Sequence, residues 1–308
     1  MLTNHHCHPR GATHRGAPLA ALCMGALLAA AAHAAVPAHI AAAVADSGRP
    51  ATDTQRDALR KPGEVLSFAG VKAGDAVGEL MPGRGYFTRL FCKAVGDKGH
   101  VYTVNITPTM PMRGPPPPDM PRGDGPPPGA GGPAAGAGGP PPGAGGPPPG
   151  AGGPPPGAGG PPPGGPPAPQ APPCPNVSSS SMKAADFALA GPLDIFWTSE
   201  NYHDLHSGMF GTPDMKAFNR VIYAALKPGG VYMVEDHAAA AGSGARDAGT
   251  LHRIDPQTVI AEVTAAGFVL DGRSDVLANP ADTHTDQVFR MNGRSDKFLL
   301  KFRRPAGK

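Results

Sequence analysis

The sequence predicts an α/β fold: a mostly parallel sheet with helices on both faces. Two observations carry that expectation. Short apolar runs alternate with segments whose large side chains recur every three or four residues, as strands alternate with helices in a doubly wound sheet. In DAVGELMPGRGYFT, Asp75 to Thr88, one such run ends in a carboxylate and passes through glycines straight into a helical pattern. A doubly wound sheet uses this junction to bring backbone N–H groups and a helix N-terminus against a nucleotide-like ligand.

The elements follow in order. Asp53 to Arg60 carries polar helix formers, and Gly63 to Ala69 continues with Val65, Leu66 and Phe68 at helical spacing. Val71 to Asp75 reads as a turn and Ala76 to Met81 as a short buried strand. Tyr86, Phe87, Leu90, Phe91, Ala94 and Val95 give an amphipathic helix that Gly96 stops. Gly99 to Asn105 is the second strand, and Asn176 to Ser181 resumes as a third, weakened by its serines. Leu193 to Thr198 is the fourth, followed by a helix from Met215 to Leu226. Lys227-Pro228-Gly229-Gly230 reads as a turn that ends this helix, ahead of a fifth strand from Val231 to Glu235. Pro256 opens a helix that reaches Ala265 and is stopped by Gly267, a strand starts at Phe268, and Phe298 to Phe302 closes the sheet.

Two segments stand outside this pattern. In residues 1–34, Arg10 and Arg15 precede an apolar run from Ala17 to Ala32, and Ala32-His33-Ala34 is a small-residue cleavage pattern. This reads as a secretory signal peptide, giving a periplasmic or secreted protein with no stable membrane insertion after cleavage. The alternative is an uncleaved N-terminal membrane tether. Leu22 ahead of Cys23 argues against a lipid anchor. Of 27 Lys+Arg the leader holds two and no acids, which leaves 25 basic against 24 acidic residues and no case for nucleic acid.

The second segment spans 108–175. There GAGGPPP recurs every seven residues from Gly129 to Pro163, first as GAGGPAA, and no aromatic occurs between Tyr102 and Phe187. With nothing large to bury it cannot offset its ordering entropy, so a disordered Pro/Gly-rich insertion is expected. The rest divides into 35–107 and 176–308, roughly 200 residues, enough for one α/β domain. Outside the leader only Cys92 and Cys174 remain, one in a helical apolar pattern and one beside prolines, and they build no disulfide framework or zinc spacing.

The segments VKAGDAVGELMPGRGYFTRL, LDIFWTSENYHDLH, LKPGGVYMVEDH and LHRIDPQTVIAEVTAAGF occur in that order, behind RPATDTQRDALRKPGE. In this they resemble a family of class I S-adenosylmethionine-dependent methyltransferases, many with export signals. The resemblance covers nearly all of the chain outside the leader and the insertion. LKPGG is common to class I methyltransferases generally, whereas NYHDLH and EDHAAAAGSGARD point to this exported subgroup. It implies a Rossmann-like, seven-stranded sheet whose last strand inserts antiparallel, with S-adenosyl-L-methionine bound at the carboxyl ends of the first strands.

The family's loop reads acid-x-Gly-x-Gly-x-Gly. Glu79 matches its acid, Met81 stands at its first glycine, and Gly83 and Gly85 hold the next two places. The resemblance implies that Glu79 holds the donor's amino-acid end and that the glycines admit the backbone to the ligand. Asn105 stands where an acid usually meets the ribose hydroxyls, and Asp186 or Phe187 is placed for adenine. A dinucleotide-dehydrogenase fingerprint fails at Thr88, where it needs a third glycine.

Polar residues gather after the fourth and fifth strands: Glu200, Asn201, Tyr202, His203, Asp204 and His206, then Glu235, Asp236 and His237, with His252 further on. Methyl transfer to a hydroxyl needs alignment and a base, so His203 or His237 is a candidate base, with Asp204 or Asp236 fixing its tautomer. The expected function is methyl transfer to an unidentified, small-molecule acceptor. Two alternatives remain: a non-enzymatic envelope binding protein that keeps a degenerate fold, favoured by Met81 and Asn105, and a metal-assisted hydrolase using the histidines and carboxylates. No HExxH or comparable spacing marks a metal site, and none is expected. Trp197 is expected in the core.

Overall fold

The structure, a computed structural model, describes residues 35–109 and 174–307. The expected leader lies outside those residues, as does most of the expected insertion. Among the described residues no helix is long and apolar enough to cross a membrane.

Four helices lead in: α1 (Ala38–Val44), α2 (Ala51–Thr54), α3 (Asp57–Arg60) and α4 (Pro62–Ala69). Then come β1 (Ala76–Leu80), α5 (Tyr86–Val95), β2 (His100–Ile106), β3 (Val177–Met182) and β4 (Leu193–Ser199). The chain ends with α6 (Met215–Ala225), β5 (Leu226–His237), α7 (Pro256–Ala265), β6 (Val269–Ser274) and β7 (Lys297–Arg303). The strands form one seven-stranded sheet in the order β3-β2-β1-β4-β5-β7-β6. β3, β2, β1, β4 and β5 run parallel, while β7 lies antiparallel between β5 and β6. The last strand is therefore inserted antiparallel, the arrangement expected of a Rossmann-like class I methyltransferase fold.

Both faces of the sheet are covered, which is why its central strands read as continuous apolar runs. Side chains alternate across β4. Ile195 and Trp197 join Val77, Val101 and Met233 on the face packed by α1, α4 and α5. Phe196 joins Leu80, Val104, Tyr232 and Phe302 on the face that holds α6 and α7. Trp197 is fully buried against Phe87 and Phe91, with ring centroids 4.8 and 5.0 Å away. Helix starts are set locally. Asp214 accepts hydrogen bonds from the Lys216 and Ala217 N–H groups ahead of α6, and Asp255 accepts one from Gln257 ahead of α7.

The structure corrects three expectations and adds one element, α1, that the sequence did not show. The single helix over Asp53–Arg60 is two short ones, α2 and α3, joined through Gln55 and Arg56. Lys61 beyond them is left-handed (φ 41°), consistent with the exclusion of helical backbone from the residue before Pro62. The Lys227–Gly230 turn is drawn into β5 as a bulge, because pairing with β4 resumes from Leu226↔Leu193 to Ile195↔Val231. α1, too alanine-rich to show a periodic stripe, packs beside α5 on the sheet. Finally, Cys92 of α5 and Cys174 ahead of β3 are paired as a disulfide, with Cα atoms 6.5 Å apart across a sequence separation of 82. Spacing alone could not show this, because the parallel pairing of β2 with β3 brings the two cysteines together.

Candidate functional site

Parallel strands end together, so side chains at the carboxyl ends of β1, β2 and β4 converge whatever their distance in sequence. A cavity of about 560 Å³ opens there. Its lining includes Glu79, Met81, Gly83, Asn105, Asp204 and Phe210. Glu79 is buried, and Thr88 donates a hydrogen bond to its carboxylate over 2.6 Å. Thr88, which broke the dehydrogenase fingerprint, thus orients the acid instead. Burial, only partly offset by that bond, pushes the Glu79 carboxyl up to about 7.

Met81 is left-handed, with φ 45°, as a glycine at that place would be. The loop it opens is clamped by Asn201, whose amide donates to the Leu80 and Met81 carbonyls over 2.9 and 3.2 Å. Gly83 is also left-handed, and a Cβ added there would meet no protein atom within 4 Å. Gly83 is also among the residues that line the cavity. Gly85 precedes α5 in the same backbone region but does not line the cavity.

Neither Asp186 nor Phe187, the two candidates for adenine, lines this cavity. The short turn Ala184–Asp186 sends Phe187 inward to stack on Phe218, ring centroids 3.8 Å apart, and leaves Asp186 exposed. Met209 and Phe210 line the cavity instead.

A second cavity of about 360 Å³ shares Arg56, Arg60 and Glu200 with the first. His237, Phe289 and Lys297 are among its other lining residues. Between the cavities stands a buried ionic cluster. Arg60 lies 2.8 Å from Glu200 and 4.0 Å from Glu235, and Lys297 lies 3.3 Å from Glu200. Burial would raise the Glu200 carboxyl, but Arg60 and Lys297 hold it down at about 2. Glu235, fully buried, is raised by burial, and its Oε1 makes no hydrogen bond among the described residues.

The polar run after β4 divides between structure and site. Tyr202 donates to Glu262 over 2.7 Å and His206 lies 3.2 Å from the same carboxylate, so both tie the loop to α7. His203 turns the other way. Its Nδ1 lies 2.7 Å from Asp236 Oδ1, and its Nε2 lies 3.3 Å from both Asp204 Oδ1 and His252 Nδ1. Burial disfavours its charge, yet Asp236 and Asp204 outweigh burial and lift it to about 10. His237 is bonded to Ser295 Oγ over 2.8 Å, and burial lowers it to about 4. The two candidate bases thus differ: in the free protein His203 keeps its proton and His237 is neutral.

Arg60, Lys297 and Ser295 were not singled out from the sequence, and Thr88 was singled out only as a break in the dehydrogenase fingerprint. Arg60 lies within RPATDTQRDALRKPGE and Lys297 near the C-terminus, and no spacing announces that they meet Glu200.

No protein-family model matches the chain, and no curated protein matches it. Solved structures similar to it include a SAM-dependent methyltransferase from Aquifex aeolicus, 13% identical over 83% of this chain and 98% of that one, with a TM-score of 0.44. An arsenic(III) S-adenosylmethionine methyltransferase from Chlamydomonas reinhardtii is 14% identical over 88% and 74%, with a TM-score of 0.43. The [4+2]-cyclase SpnF is 13% identical over 85% and 86%, with a TM-score of 0.44. The strand order and the antiparallel β7 define the fold on their own: a Rossmann-like class I methyltransferase sheet with helices on both faces.

Proposed function

We propose that this chain is an S-adenosylmethionine-dependent methyltransferase acting on a small-molecule acceptor. The observation that carries the reading is the cavity at the ends of β1, β2 and β4, where Glu79 supplies a buried carboxylate and Gly83 leaves room that no protein atom fills. When bound, the donor supplies an electrophilic methyl group on a sulfonium. Glu79 suits its ammonium group, and Asn105, which lines the cavity near the end of β2, suits neutral hydrogen bonds to the ribose. The acceptor is assigned to the adjoining cavity, beside His237 and Phe289. His237 is neutral there but weakly basic, which suits an acceptor hydroxyl or thiol that is itself acidic.

Export forms part of the proposal. It is supported by the residue pattern of 1–34 and by the Cys92–Cys174 pair, since disulfides persist in oxidising compartments.

The test is thermal melting of the full chain with S-adenosylhomocysteine, the demethylated product. A ligand at a hundred times its Kd adds about 2.7 kcal/mol of stability, so a rise of several degrees is expected. A melting temperature unmoved by saturating ligand would sink the assignment.

A further inference from the structure

The geometry points to a divalent transition-metal site formed by His203, Asp204 and His252. The claim does not depend on methyl transfer. His203 Nε2, His252 Nδ1 and Asp204 Oδ1 form a triangle with edges of 3.3, 3.3 and 3.7 Å. Ligands at the usual zinc distances of about 2.0–2.2 Å in a tetrahedron lie roughly 3.4 Å from one another. The three atoms therefore already stand where one ion would hold them, and among the described residues this is a group able to do so.

Two further features fit. Buried Asp236 engages His203 through Nδ1 at 2.7 Å, the carboxylate–histidine arrangement that leaves Nε2 to a metal. His252 takes a left-handed backbone, φ 57°, uncommon for a side chain of its size, and this conformation brings its ring edge-on to His203. Two imidazoles and one carboxylate suit zinc(II) or cobalt(II) better than magnesium or calcium. Three protein ligands leave a fourth position, and Asp204 also lines the larger cavity, so an anionic oxygen or sulfur from a small molecule in that cavity is the fourth ligand this site would take.

The experiment is cobalt(II) titration of the full chain, read by visible absorption and bound-metal analysis. His5, His6, Cys7 and His8 near the N-terminus supply a separate metal-binding stretch, so the site is read as the equivalents lost on substitution. His252→Gln and Asp204→Asn should each remove one equivalent and its tetrahedral absorption. Asp236→Asn should keep the stoichiometry and weaken binding 10- to 100-fold. His237→Gln should change neither. His252 is partly exposed, so its variant is expected to fold, and circular dichroism verifies this. Equal equivalents in the parent, His252→Gln and Asp204→Asn chains, or no saturable binding by the parent, would overturn the assignment.

Discussion

Glu79 carries two demands that oppose each other. Its carboxyl ionises at about 7 in the folded chain against 4.5 ordinarily, because burial penalises the anion. The sign follows: below about pH 4.5 both states hold the proton, and between 4.5 and 7 only the folded state does, so this group's contribution to stability falls as pH rises through that window. Glu79→Gln should remove the fall and leave the variant more stable above pH 7, by on the order of 3 kcal/mol. Urea unfolding of both chains across pH checks it. A cationic ligand favours the ionised form, so donor binding at about pH 6 should release a proton, seen as a dependence of calorimetric heat on buffer ionisation. Gly83 offers a cleaner separation of fold from site. Gly83→Ala should cost about 1 kcal/mol for left-handed backbone, since its methyl meets no protein atom, yet weaken donor binding at least tenfold. Unchanged affinity would place the ligand elsewhere.

At the scale of elements, the Cys92–Cys174 link joins α5 to the start of β3 across the longest connection in the sheet. A loop of this length predicts a loss of about 4 kcal/mol on reduction. Peptide mapping should recover the two cysteines linked, and two free thiols in protein folded under oxidising conditions would contradict it. Asp214→Ala should cost about 1 kcal/mol by removing the α6 cap, measured by urea unfolding. These elements also show what the sequence could reveal. β4 and β5 were legible because both faces are buried along their central runs, Ile195 to Trp197 and Val231 to Val234, and those residues are apolar. β3 was faint because Ser178 to Ser181 lie on an exposed edge strand, where neither alternation nor hydrophobicity is required. The bulge in β5 was read as a turn because proline and glycines mark either, and only pairing with β4 decides between them.

Over the whole molecule, the site was legible where it rests on strand ends. Glu79, Gly83, Asn105 and Asp204 line the larger cavity because parallel strands finish on one edge, which the pattern of runs already implied. The opposite protonation of His203 and His237 was not legible. It depends on Asp236 and Asp204 outweighing burial at His203, whereas at His237 burial, joined by Lys297 and His203, outweighs Glu200 and Asp236. Arg60 and Lys297 were equally hidden, since they reach Glu200 from α3 and β7, opposite ends of the chain. The central claim is that the cavity at the ends of β1, β2 and β4 takes the methyl donor. Calorimetric titration of the full chain with S-adenosylmethionine, and separately with its demethylated product, tests it most directly. The account predicts saturable binding of one equivalent of each, weakened at least tenfold in Gly83→Ala. A folded chain that gives no binding heat with either ligand at millimolar concentration would contradict it.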